Sequence, residues 1–100
     1  MLIACITQED PRHLSASHVE ELRERERRYY LGLRAEGKLH SYFVRRGGGG
    51  NVLIFDVASH EELHRLVLMG PLSMFQKSQV FPLMALQSLG NLTHAMAENA

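Results

Sequence analysis

The chain has little of several things, and each scarcity narrows what it can be. It holds one cysteine, Cys5, among 100 residues, so no internal disulfide can form. Neither sign of charge prevails. Eleven Lys and Arg balance 11 Asp and Glu, a formal net charge of zero that leaves no footprint for nucleic acid or an anionic membrane surface. No apolar run is long enough to span a bilayer. The N-terminal "MLIACIT" is too short for a signal peptide and lacks a basic flank, so the protein is expected to be cytoplasmic. Cys5 lies in that run without a basic neighbour and reads as a small buried hydrophobe, not a reactive thiol. The hydrophobic share of 45% and charged share of 22% belong to an ordinary globular domain, and 100 residues suffice for one layered core.

The order of elements follows from runs and breakers. "LIACIT" (Leu2 to Thr7) reads as a strand and "QEDPRH" ends it. Ser17 and Glu20 have capping-box spacing at the start of a helix that Gly37 stops. "KLHSYFVRR" has strand character, and Gly47 to Gly50 form a flexible hairpin leading to the strand "NVLIFDV". Ser59 and Glu62 open a second helix with Leu63, Leu66 and Val67 on its inner face, ended by Gly70-Pro71. "QVFPLMAL" is expected as the last strand, with Pro82 at an edge or bulge. Residues 87–100 form a tail, with or without a short helix, after a domain spanning 1–86. The order β-α-β-β-α-β predicts a ferredoxin-like α+β fold with a four-stranded antiparallel sheet. Two helices cover only one face of such a sheet, yet Val52 and Ile54 point one way while Leu53, Phe55 and Val57 point the other. A second copy packed sheet to sheet, a homodimer or higher homo-oligomer, is the expected cover.

Within "VEELRERERRYYLGL", Val19, Leu22, Tyr29, Tyr30 and Leu33 form an apolar stripe at roughly 100° per residue, and Glu26 falls in its middle. The other charges alternate in sign and read as a solvated face laced with ion pairs. Three roles are open to Glu26. It can reach solvent or pair with Arg23 or Arg27, form a structural ion pair at a subunit interface, or face an apolar pocket as a general base. Desolvation raises a carboxyl pKa, which is how enzymes bring glutamate toward about 6–7. Tyrosines one turn on and Arg23 three positions earlier suit proton transfer on an organic acid.

These residues carry a resemblance. The helix "LRERERRYYLGLRAEGKL", the core "NVLIFDVAS" and the short segments "ELH" and "PL" are similar in order and spacing to the muconolactone delta-isomerase family, from Leu2 to about Leu83. The resemblance implies an isomerase of aromatic catabolism, the β-ketoadipate route, that shifts a ring double bond in a small lactone carboxylic acid without cofactor or metal. It implies Glu26 as the proton shuttle and Arg23, in place of lysine, as the cation for the substrate carboxylate. Tyr29, Tyr30, His40, Tyr42 and Phe55 are further pocket candidates. There are departures. Ser41, Phe43 and Val44 stand where the family tends to have histidine, tryptophan and arginine; the hairpin is all glycine, and "LPLFPYMD" appears as "GPLSMFQK". These leave open an isomerase of another substrate, or a non-catalytic binding or assembly protein. His60 and His64 are an i,i+4 pair near Glu61, but no third ligand is evident, so no metal is expected. Asp56 is a second candidate for a buried carboxylate, or a partner for backbone donors at the strand end.

Overall fold

The computed structural model describes residues 1–10 and 16–84. Its elements run β1 (Leu2–Glu9), α1 (Ala16–Ala35), β2 (Leu39–Val44), β3 (Asn51–Asp56), α2 (His60–Leu68) and β4 (Gln76–Pro82), with a 3-10 turn at Ser73–Phe75. The sheet is antiparallel in the order β2-β3-β1-β4, the ferredoxin-like arrangement expected from the sequence. No helix among the described residues is long and apolar enough to cross a membrane. The tail at 87–100 lies outside the described residues.

Alternation decides which side chains enter the core. Ile3, Cys5 and Thr7 of β1 and Leu53 and Phe55 of β3 lie beneath the helices, joined by Tyr30 and Leu33 of α1 and Leu63 of α2. Cys5 is buried, as its run suggested. The opposite face carries Ala4, Ile6, Val52 and Ile54, all half-buried, between the exposed rings of Phe43 and Phe81.

The helix ends show which local signals hold. Lys38 N–H donates to Leu33 O (2.9 Å) and Gly37 N–H to Arg34 O (3.1 Å), with Gly37 at φ 79°. This is a Schellman stop, and glycine supplies the left-handed residue at no steric cost. Ser59 Oγ accepts from Glu62 N–H (3.1 Å) as the capping spacing predicts, a contact worth about 1 kcal/mol.

Two expectations need correction, and at Asp56 one of two open alternatives closes. Ser17 does not cap α1, because the helix already includes Ala16. β4 begins three residues earlier than expected, at Gln76, and ends at Pro82. It is an edge strand whose residues after Gln76 are all exposed, so it lacks the apolar alternation that would mark its start. Pro82 sits at its end, opposite Ile3, where a missing N–H does least harm. Asp56 is exposed, and its carboxylate faces the N-terminal ammonium at 3.4 Å. It is not a buried acid.

Candidate functional site

α1 presents Val19, Leu22, Glu26, Tyr30 and Leu33 to the sheet, all buried. The carboxylate in that stripe is 3% exposed and meets neither Arg23 nor Arg27. Its partners are two neutral amides from different strands: Asn51 Nδ2 donates to Oε2 at 3.3 Å, and Gln76 Nε2 to Oε1 at 3.2 Å. Burial pushes the Glu26 pKa up to about 7, with a smaller push from Glu9, while the two amide bonds hold it down. The first of the three roles, an outlet to solvent or an arginine, is therefore excluded for the described chain.

Glu26 lines a cavity of about 310 Å³ between α1, the β2–β3 hairpin and the end of β1. Tyr42, Val44 and Asn51 share its wall, and Arg23 and Arg27 its rim. Arg23 is already engaged: its guanidinium grips Glu9 through Nε (3.0 Å) and Nη2 (2.6 Å), and Glu20 through Nη1 (2.6 Å). These partners push its pKa further above the usual arginine range. Arg27 holds Glu24 at 2.6 Å. An anionic ligand reaching the rim meets two guanidiniums that each carry a counter-charge.

The other candidates separate into walls and supports. Tyr42 is half-buried in the cavity wall, its hydroxyl pKa raised by burial and then by the Glu26 charge. Tyr30 is fully buried behind Glu26, its ring edge-on to Tyr42 (5.7 Å) and Phe55 (6.2 Å). A Cβ at Gly70 would come 3.2 Å from Tyr30 Oη and 3.7 Å from Glu26 Oε1, so the turn after α2 lies close over both groups. Phe55 is core and does not line the cavity. Tyr29 donates its hydroxyl to Leu66 O and ties α1 to α2. His40 is exposed and bonded to Ser41 Oγ at 2.7 Å. The pairing skips from Leu39 to Ser41, and this bulge turns His40 out of the ladder, away from the cavity.

Gly48 to Gly50 of the all-glycine hairpin line the cavity. Gly47, Gly48 and Gly49 all have positive φ, near 90°, a region closed to most side chains. Gly49 O accepts from Glu9 N–H at 2.7 Å, and Gly50 O from Arg45 N–H at 3.0 Å. Asn51 N–H then donates to Thr7 Oγ1 at 2.9 Å, which fixes the residue that holds Glu26. Among the described residues no group of three metal-ligating side chains gathers, and His60 and His64 line a separate crevice between α2 and β4.

Two participants escaped sequence reading. Glu9, which neutralises Arg23, lies 14 positions away across a break, and no local pattern links them. Gln76 had a weak signal: it stands where the resembled "LPLFPYMD" has methionine, and an amide in an apolar slot asks for a polar partner.

Two helices on one face of a four-stranded antiparallel sheet define a ferredoxin-like α+β protein, here with a carboxyl raised by burial at a cavity wall. Residues 3–88 match the family model described as muconolactone delta-isomerase. The Muconolactone Delta-isomerase of Cupriavidus pinatubonensis (strain JMP 134 / LMG 1197) is 37% identical over 73 residues, 73% of this chain and 79% of that protein. The chain belongs to the muconolactone delta-isomerase family and is an isomerase. Its fold is that of a crystal structure of muconolactone isomerase, with a TM-score of 0.75 at 24% identity, covering 85% of this chain and 90% of that one. The 5-chloro-2-hydroxyhydroquinone dehydrochlorinase of Burkholderia phenoliruptrix AC1100, solved with 2,5-dihydroxybenzoquinone, shares the fold at a TM-score of 0.66 and 18% identity, over 84% of this chain and 94% of that one.

Proposed function

We propose that the protein isomerises a small unsaturated lactone carboxylic acid of the muconolactone type, in aromatic catabolism, with Glu26 carrying the proton. The observation behind this is the state of Glu26: nearly inaccessible to water, held by two amides and no cation, yet at the wall of a cavity. A carboxylate with a pKa near 7 is half ionised at neutral pH, so it both takes and returns a proton readily. It removes a proton from the γ carbon of the lactone. Negative charge spreads to the lactone carbonyl oxygen, and the same carboxyl returns the proton at the α carbon, leaving the double bond moved. Tyr42, on the cavity wall, offers a hydroxyl to that oxygen. Arg23 and Arg27 at the rim face the substrate carboxylate, which competes with Glu9, Glu20 and Glu24 for them.

Turnover of muconolactone followed by ultraviolet absorbance tests this reading. Conversion is expected, with kcat/KM rising as pH passes through about 7, because only the ionised form of Glu26 is a base. No conversion at any pH would remove muconolactone as substrate. The same reading seats a second copy on the face bearing Phe43 and Phe81, which leaves the cavity under the helices open. Phe43, 59% exposed, is the ring to change. Sedimentation of Phe43→Asp as a smaller species than the wild type is expected, and an unchanged mass would refute that placement.

A further inference from the structure

Gln76 opens β4, half-buried, between Glu26 on one side and the crevice under α2 on the other. Its Nε2 donates to Glu26 Oε1, while its own Oε1 is buried with no hydrogen-bond partner among the described residues. Buried carbonyl oxygens normally have a donor. Among the described residues nothing but Glu26 determines which end of the amide lies toward the carboxyl. Turning the amide over exchanges one unpartnered end for the other and breaks no third hydrogen bond. The carboxyl group, in contrast, has opposite needs in its two states: ionised it only accepts, and protonated it gains a donor.

We propose that Gln76 is a positioning residue whose amide follows the proton on Glu26, donating through Nε2 to the carboxylate and accepting through Oε1 from the acid. No bond other than O–H changes in this step: the proton that Glu26 takes stays on its own oxygen, and only the amide rotates. The proposal rests on Glu26 as the base described above. It gives the base a hydrogen-bonded partner at both ends of the proton transfer, so neither state is left bare where water barely reaches the carboxyl. Asn51 holds Oε2 throughout. The charged or titratable groups around the pair are Glu20, Arg23, Glu24, Arg27 and Tyr30 of α1, Glu9 and Cys5 of β1, Tyr42 of β2, and His60 and His64 of α2 beyond Gln76.

The test is nuclear magnetic resonance of the full chain, with carbon-labelled glutamate carboxyls and nitrogen-labelled glutamine amides, titrated from pH 5 to about 9. Glu26→Gln assigns the Glu26 signal. In the wild type the two Nε2 protons of Gln76 are expected to shift with the midpoint of Glu26, and to lose that transition in Glu26→Gln. A hydrogen bond to the charged form is the stronger of the two, so Gln76→Met should raise the Glu26 midpoint by roughly 0.5–1 pH unit. If muconolactone is turned over, the variant should lose rate at neutral pH and regain it as pH rises, a recovery that simple loss of packing would not give. Gln76 amide signals that ignore the Glu26 midpoint would overturn the proposal, as would an unmoved or lowered midpoint in Gln76→Met. The titration decides this whether or not muconolactone is a substrate. Absent turnover with a coupled titration would reject the substrate and keep the role of Gln76.

Discussion

Glu26→Gln should lose muconolactone turnover on the order of 10²–10⁴-fold while making the protein more stable above pH 7. The two effects have one source. Folding moves this carboxyl from an ordinary pKa of 4.5 to about 7, so between those values the folded chain holds a proton that the unfolded chain has released. Stability therefore falls as pH rises across that window and levels off above it. At 1.36 kcal/mol per unit, the ionised side chain costs the fold about 3 kcal/mol at pH 8. A glutamine carries no charge to desolvate. It keeps a bond to Asn51 through its oxygen and meets Gln76 with the amide turned over. Thermal unfolding at pH 5 and pH 8, at matched concentration, checks this. The variant should nearly equal the wild type at pH 5 and exceed it at pH 8 by about 10 °C or more, at roughly 4–8 °C per kcal/mol for a domain of this size. A variant less stable at both pH values would mean that the carboxyl is held by more than the two amides.

The second large effect is at Gly50. A Cβ there would overlap the Thr7 carbonyl oxygen and stand 3.0 Å from its carbon and 3.1 Å from Arg45 Cδ. Backbone atoms cannot step aside as a side-chain tip can, so Gly50→Ala has to pry the hairpin from β1. A loss of about 3 kcal/mol is expected, the upper range for overpacking. The damage extends to the site, because the same movement pulls Asn51 N–H from Thr7 Oγ1 and Asn51 Nδ2 from Glu26. Denaturant unfolding beside Gly32→Ala is the informative comparison. Gly32 lies in α1 with nothing near its missing Cβ, so alanine there should add about 0.5–1 kcal/mol. If both variants moved the midpoint alike, the close approach at Gly50 would be refuted.

How much of this was legible depended on how local each cause is. The Gly37 stop and the Ser59–Glu62 cap involve neighbours in the chain, and both appear as read. Glu26 was legible as an anomaly because helical period alone places it among apolar residues. What it binds was not, since Asn51 and Gln76 come from strands that meet α1 only in the assembled sheet. The bulge that expels His40 leaves no mark in "KLHSYFV", because one extra residue in a strand shows only against the register of its partner. The start of β4 was hidden for a related reason: "QKSQ" takes strand form from pairing with β1, residue by residue from Glu9–Gln76 to Ile3–Pro82, and not from its own composition. The resemblance supplied Arg23 as a carboxylate ligand, but a family pattern does not carry a salt bridge to Glu9 formed across the fold.

The partners of Glu26 also tie its acidity to the assembly of the sheet. Asn51 lies 25 positions from it and Gln76 lies 50, on strands that flank β1 from opposite sides. α1 forms from local contacts, and while it stands alone its glutamate remains in water with the acidity of any other. Only as the sheet assembles against α1 is the carboxyl dried, and at pH 6 it must draw a proton from solvent as this happens. The base thus comes into being with the assembled sheet. The slope of stability against pH that Glu26→Gln should erase is that same proton, counted at equilibrium.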